Sequence, residues 1–140
     1  IVAPYPIDEN LRYQPDRKEP EIKTYMDFSS DQGILRAAEK CNGSGDCRKT
    51  TSDATICPSY RATKDEKDTT RGRANVFRQL FAGKQKEAFK SEELKEALEL
   101  CLSCKGCKSD CPANVDMAKM KAEFTNGYYK ENGVPLAAQF

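Results

Sequence analysis

The chain has 140 residues, and its 23 Lys and Arg stand against 22 Asp and Glu for a formal net charge of +1. That balance argues against a nucleic-acid binder working by phosphate neutralisation, and no apolar run approaches the roughly 20 residues of a membrane span. Leu, Ile, Val and Phe make up about 16% of the chain, below the roughly 20% of an ordinary globular core. Low net charge argues against simple disorder, so something besides hydrophobic burial is expected to hold the fold together.

Taken in chain order, residues 1–29 read as an extended arm. Pro4, Pro6, Pro15 and Pro20 lie here, and proline removes donors and biases its neighbours toward extended backbone. The segment is a linker, an arm wrapped on a partner, or a poorly ordered terminus. It opens Ile1-Val2-Ala3-Pro4 without an initiator Met, so the chain is expected to be processed, tagged or excised from a longer protein. A short helix is expected from Asp31 to Lys40, capped by Asp31 or Ser30, with Ile34, Leu35 and Ala38 on one face. A Gly-rich loop, Asn42-Gly43-Ser44-Gly45, then separates Cys41 from Cys47. It follows a helix and not a strand, which excludes a phosphate-binding loop. Residues 48–56 read as irregular, and Cys57-Pro58 opens a second short helix, because proline suits a first helical turn. The run Lys64 to Asp68 reads as a solvated turn.

A long helix is expected from Arg71 to Lys84, ended by Gly83, with Val76, Phe77, Leu80 and Phe81 forming an apolar stripe. Another starts near Ser91, where Glu92 and Glu93 suit the positive end of the helix dipole. Its Leu94, Ala97, Leu98, Cys101 and Leu102 share one face, which would carry Cys101 into the core. Residues 103–110 read as a loop around Gly106. Pro112 is expected to begin the last helix, with Val115, Met117, Met120 and Phe124 as core positions. No strand pattern occurs, so the fold class is all-α.

Seven cysteines with no histidine are the candidate for the missing stabilisation. An odd count cannot close into disulfides within one chain. Cys101-x2-Cys104-x2-Cys107-x3-Cys111-Pro112 has the spacing of bacterial ferredoxin ligation, in which three thiolates wrap one 4Fe-4S cluster and the fourth serves another. Cys41-x5-Cys47-x9-Cys57-Pro58 is a looser echo. By the same crossing, Cys57 joins Cys101, Cys104 and Cys107, leaving Cys41, Cys47 and Cys111 as a three-thiolate site. Structural zinc prefers paired knuckles, and with no histidine the match is poor. Redox disulfides in the C-x-x-C steps are the other alternative. Glycine amides in the 42–45 loop are placed to donate to cluster sulfides. Lys105, Lys108, Arg48 and Lys49 are either cations stabilising a reduced cluster or ordinary solvated charges. Arg71 and Arg73 are expected to pair with acidic residues, a cluster or a partner domain.

These residues carry a resemblance. Cys41-Asn-Gly-Ser-Gly-Asp-Cys-Arg-Lys, Cys57-Pro-Ser-Tyr-Arg-Ala-Thr-Lys-Asp-Glu66, Thr70-Arg-Gly-Arg-Ala74 and Cys101-Leu-Ser-Cys-Lys-Gly-Cys-Lys-Ser-Asp-Cys-Pro with Val115-Asp-Met-Ala resemble the iron–sulfur region of large FAD-linked oxidases. These form the glycolate oxidase and D-lactate/D-2-hydroxyglutarate dehydrogenase group. Pro4-Tyr-Pro-Ile-Asp-Glu-Asn-Leu-Arg resembles the connector after their flavin domains. The resemblance implies an α-helical ferredoxin over residues 30–130, an arm at 1–29 leading from an upstream flavin domain, and a C-terminal linker at 131–140. It implies FAD only in the upstream domains, a Cys-rich domain or other acceptor downstream, and a place in the cytoplasm or peripheral at the inner membrane. Such a ferredoxin brings eight cysteines and this chain seven. The Cys41/Cys47/Cys111 site therefore holds a 3Fe-4S cluster, a 4Fe-4S cluster with another ligand such as an oxygen of Asp46 or Ser44, or none. The expected function is electron transfer inside a 2-hydroxy-acid dehydrogenase; the alternative is a structural or redox-sensing cluster, or a zinc-stapled interaction domain. With no His, no nucleophile–base pair and no Rossmann or P-loop glycines, the segment is not expected to catalyse by itself.

Overall fold

A computed structural model describes residues 3–11, 13–51, 53–83 and 85–136, apart from the side chains of Gln85 and Lys86. Ile1, Val2 and Arg12 of the expected arm, the helix end expected at Lys84, and residues 137–140 of the expected C-terminal linker lie outside the described residues. Among the described residues there are seven α-helices and no strand, so the fold is all-α. None of these helices is long and apolar enough to cross a membrane.

Helix α1 (Ile34–Glu39) is shorter than its sequence pattern suggests. Ser29–Asp31 forms a separate 3-10 turn, and positive φ at Gln32 (60°) and Gly33 (111°) breaks the path between them. Neither Ser30 nor Asp31 caps α1; Gly33 occupies that position, and Asp31 instead pairs with Lys40 at 2.9 Å. Helix α2 (Pro58–Thr63) opens at the expected proline. The segment after it is not a simple solvated turn. Glu66–Asp68 is a 3-10 turn whose Asp68 is 1% exposed, drawn inward by Arg73.

Helix α3 (Thr70–Phe81) is the central element, packed against α1 and the elements that follow it. Thr69 caps it by accepting the Gly72 N–H at 2.8 Å. Gly72 is required sterically: a Cβ there would lie 2.2 Å from the Glu66 carbonyl oxygen. Ala82 is the C-cap, and the Gly83 amide closes the end on Leu80 at 3.2 Å. A short α4 (Gln85–Ala88), not foreseen from periodicity, seats Ala88 and brings Phe89 against Phe81. Helix α5 (Glu92–Glu99) is capped by Ser91, as expected, and buries Leu94, Ala97 and Leu98. It stops before the cysteine, so Cys101 is half-buried in the following loop and Leu102 is 70% exposed. The apolar face therefore brings Cys101 against the edge of the core, partly buried, and leaves Leu102 outside it.

Two boundaries differ further along. Residues 106–110 form α6 (Gly106–Asp110), not a loop. Helical backbone is fixed there from outside: the Asp110 carboxylate accepts the Thr55 and Ile56 N–H groups at 2.7 and 3.0 Å. Helix α7 (Met117–Asn132) begins five residues after Pro112, because Asn114 (φ 50°) turns the chain and Asp116 supplies the cap to the Lys119 N–H at 3.0 Å.

The core is aromatic where α3 meets α7. Phe77 stacks on Phe81 at 5.5 Å and meets Phe124 edge-on at 6.2 Å, and Phe124 contacts Tyr128 at 5.7 Å. Each such pair adds about 0.5–1.5 kcal/mol beyond area burial. Val115, Met117 and Met120 complete this core at 1% exposure or less. The arm is tied down at its end: Glu123, 3% exposed on α7, accepts the Tyr25 and Met26 N–H groups, each at 2.8 Å.

Candidate iron–sulfur site

Four cysteines meet at one pocket. Cys57, Cys101, Cys104 and Cys107 line it together with Thr70, Arg73, Ser103, Lys105 and Met117. Cys57 and Cys107 are buried, Cys101 is half-buried and Cys104 is exposed. Cys57 is the N-cap of α2, and Cys107 lies in the first turn of α6. Cys57, Ser103 and Lys105 all have positive φ, of 49°, 52° and 61°. Such backbone is unfavourable for side chains with a Cβ. Its concentration at one pocket marks a loop held in shape by its surroundings. Gly106 is part of that hold, because a Cβ there would lie 3.1 Å from the Ile56 nitrogen.

The pocket fits an iron–sulfur cluster by its donor set. Its lining holds four soft thiols and no imidazole or carboxylate, and such ligands select iron–sulfur clusters, zinc or Cu(I). Among the described residues, no three His, Cys, Asp or Glu side chains converge closely enough to hold one metal ion.

Free amides at helix starts point at these sulfurs. The Thr70 N–H donates to Cys57 Sγ at 3.0 Å, and the Thr70 hydroxyl is 3.0 Å from the same sulfur. The Met117 and Ala118 amides, in the first turn of α7, donate to Cys107 and counter the burial that pushes its thiol up. The first-turn amides of a helix lack intrahelical partners and favour anions. A thiolate there satisfies them.

Cys41, Cys47 and Cys111 form the second group. Cys47 and Cys111 are buried and Cys41 is half-buried. Cys41 feels the charges of both others, and burial pushes its thiol up. The Gly43 amide donates to the Cys41 sulfur. The Arg71 amide, next to that of Thr70 on α3, donates to Cys47. The two groups are electrostatically coupled: Cys57 lowers the Cys47 thiol, and Cys47 with burial raises that of Cys57. Asp46 is engaged elsewhere, pairing with Lys49, and the Ser44 amide is bonded to Asn42 at 3.1 Å.

The cations sort differently from their sequence positions. Arg48 pairs with Glu66 at 3.1 Å and Lys105 with Asp116 at 3.2 Å, both at exposed positions. Arg71 also bonds Glu66, at 2.7 Å. The buried cation is Arg73, 2% exposed, paired with Asp68 at 3.3 Å. Sequence reasoning left the roles of Thr70 and Asp68 unassigned. A signal was present for Arg73: it falls four and eight residues before Phe77 and Phe81, on the same helical stripe.

The 4Fe-4S dicluster domain family matches residues 40–116, more than half of the chain. The D-2-hydroxyglutarate dehydrogenase of Pseudomonas putida is 26% identical over 164 aligned positions, covering 94% of this chain and 16% of that protein. The enzyme of the same name from Escherichia coli is 26% identical over 136 positions, covering 72% of this chain and 13% of that protein. The glycolate oxidase iron-sulfur subunit of Escherichia coli is 34% identical over 82 positions, covering 59% of this chain and 17% of that protein. The chain thus spans about a sixth or less of the length of these curated relatives. No solved structure matches it. The relatives support the sequence-based resemblance to an iron–sulfur region of such oxidases and dehydrogenases, and with it an electron-transfer role. Thiols gathered in one pocket of an all-α body agree with that role, and the matched span makes this chain a member of the 4Fe-4S dicluster domain family.

Proposed function

We propose that this chain is the electron relay of a flavin-dependent 2-hydroxy-acid dehydrogenase. It takes electrons from flavin domains and passes them to a downstream Cys-rich domain or other acceptor. The observation that carries the reading is the pocket shared by Cys57, Cys101, Cys104 and Cys107. A 4Fe-4S cluster bound there supplies one-electron transfer. The chain's own residues do the rest. The four thiolates hold the iron, and the Thr70, Met117 and Ala118 amides stabilise the charge on Cys57 and Cys107. Exposed Cys104 marks the edge that a redox partner approaches. Cys41, Cys47 and Cys111 are the second, three-thiolate site. The names of the relatives support the substrate class, since 2-hydroxyglutarate and glycolate are both 2-hydroxy acids. In this reading the arm lies against the flavin domains, and the whole protein works in the cytoplasm or at the inner-membrane periphery.

The test uses the full-length enzyme. Cys104→Ser is expected to leave substrate-driven flavin bleaching nearly intact and to slow turnover with the physiological acceptor severely. Wild-type turnover with that acceptor would remove the relay role and make a structural cluster the better account.

A further inference from the structure

We infer that Arg73 is the cation that sets the reduction potential of the cluster held by Cys57, Cys101, Cys104 and Cys107, with Asp68 as its counter-charge. This rests on reading those four cysteines as one ligand set. Arg73 lines their pocket, and Asp68 lies behind it, 3.3 Å from the guanidinium and outside the lining. Of the two charged partners, Arg73 is the one that belongs to the wall of the thiol pocket. A buried ion pair is a weak stabilising device, because desolvation offsets its attraction. The placement gains a reason if an anion sits in front of it.

The guanidinium is held at every nitrogen. Its Nε donates to the Ala97 carbonyl at 2.7 Å, Nη1 to the Asp68 carbonyl at 2.8 Å, and Nη2 to the Ser59 hydroxyl at 3.1 Å. Its charge thus occupies one position at 2% exposure. A reduced cluster carries one more negative charge than an oxidised one, so a fixed cation in a medium of low dielectric favours reduction. The surface cations do less. Lys105 has 61% of its side chain exposed and Arg48 has 50%, and each is already paired with a carboxylate. Water and salt screen such charges.

The competing account is a structural tie, since the same bonds join α2, α3 and the end of α5. Signs separate the two. The experiment is an EPR-monitored redox titration of the whole chain, reconstituted anaerobically with iron and sulfide. Arg73→Gln is expected to move one midpoint negative, by about tenfold in the reduction equilibrium, or about 59 mV for one electron. Asp68→Asn is expected to move the same midpoint positive. Arg73→Lys, which keeps the charge, is expected to stay nearer to wild type than Arg73→Gln. Cys57→Ser identifies which signal belongs to this cysteine set. Opposite shifts confined to that signal support the proposal; shifts of one direction in both variants, or none, overturn it. If Arg73→Gln loses its iron, Asp68→Asn decides alone, and an unmoved or negative midpoint overturns the proposal. Loss of different signals in Cys57→Ser and Cys104→Ser overturns the ligand set and the proposal together. Matching losses with unmoved midpoints overturn only the role of Arg73.

Discussion

The two cysteine groups of this chain are built from the same parts and differ in their supporting charge. Each receives an amide from the first turn of α3: Thr70 serves Cys57, and the next residue, Arg71, serves Cys47. The four-cysteine pocket adds a buried guanidinium in its wall and two further amides from α7 at Cys107. The three-cysteine group has surface ion pairs, Arg48 and Arg71 on Glu66, with the Glu66 side chain 44% exposed. One helix start thus serves two sites, while the elements behind each site decide how well its charge is compensated. The four-cysteine group is expected to hold its cluster more firmly.

The largest test of that comparison removes the metal from both. Chelating the iron is expected to abolish most of the helical circular dichroism and to open the chain to protease, because ligand energy substitutes for a thin apolar core. Unchanged melting of iron-free protein would show that the helices hold without it. Next, single changes should divide the groups. Cys57→Ser and Cys104→Ser are expected to damage the same cluster, and Cys111→Ser the other, in iron content and EPR signal. Separable losses for Cys57 and Cys104 would break the division itself.

Two glycines probe the backbone behind each group. Gly72→Ala, on the Cys47 side, drives a Cβ to 2.2 Å from a backbone carbonyl that cannot swing away. It is expected to cost about 3 kcal/mol. Gly106→Ala, on the Cys107 side, meets Thr55 and Ile56 backbone at 3.1 Å and is expected to cost about 1 kcal/mol. Denaturant melts of the loaded protein measure both, and a reversed order would refute the steric ranking. The smallest effect is expected from Asp46→Asn. Its carboxylate is occupied by Lys49, which holds it below its usual range. Iron content and the EPR of the three-cysteine site should not change; a lost or altered signal would identify Asp46 as a ligand.

Much of this molecule is legible from local pattern. Leu94, Ala97 and Leu98 declare a helix because their spacing matches its period, Ser91 opens one by accepting the Leu94 N–H, and Pro58 opens another because it has no N–H to leave unpaired. Boundaries set by distant groups are not legible in that way. Residues 106–110 read as a loop, yet Asp110 accepts two amides from residues 55 and 56 and the segment coils into α6. Pro112 looked like a helix start, but Asn114 and Asp116 postpone it to Met117.

The same division runs through the site. Cysteine type and spacing are covalent properties of the chain, and they suffice to name the cofactor chemistry; the division of seven thiols into four and three is the proposal built on them. Which charge stands beside which thiol depends on contacts across the fold. Lys105 and Lys108 neighbour the cysteines in sequence, yet Lys105 turns to Asp116 and Lys108 is exposed. Arg73 is 16 residues from Cys57 and 28 from Cys101, and it shares their pocket because its bonds to Ser59 and Ala97 tie α3 to α2 and α5. Burial strips water from that guanidinium and couples it to Asp68 and Ser59, and such coupling exists only once the helices have met.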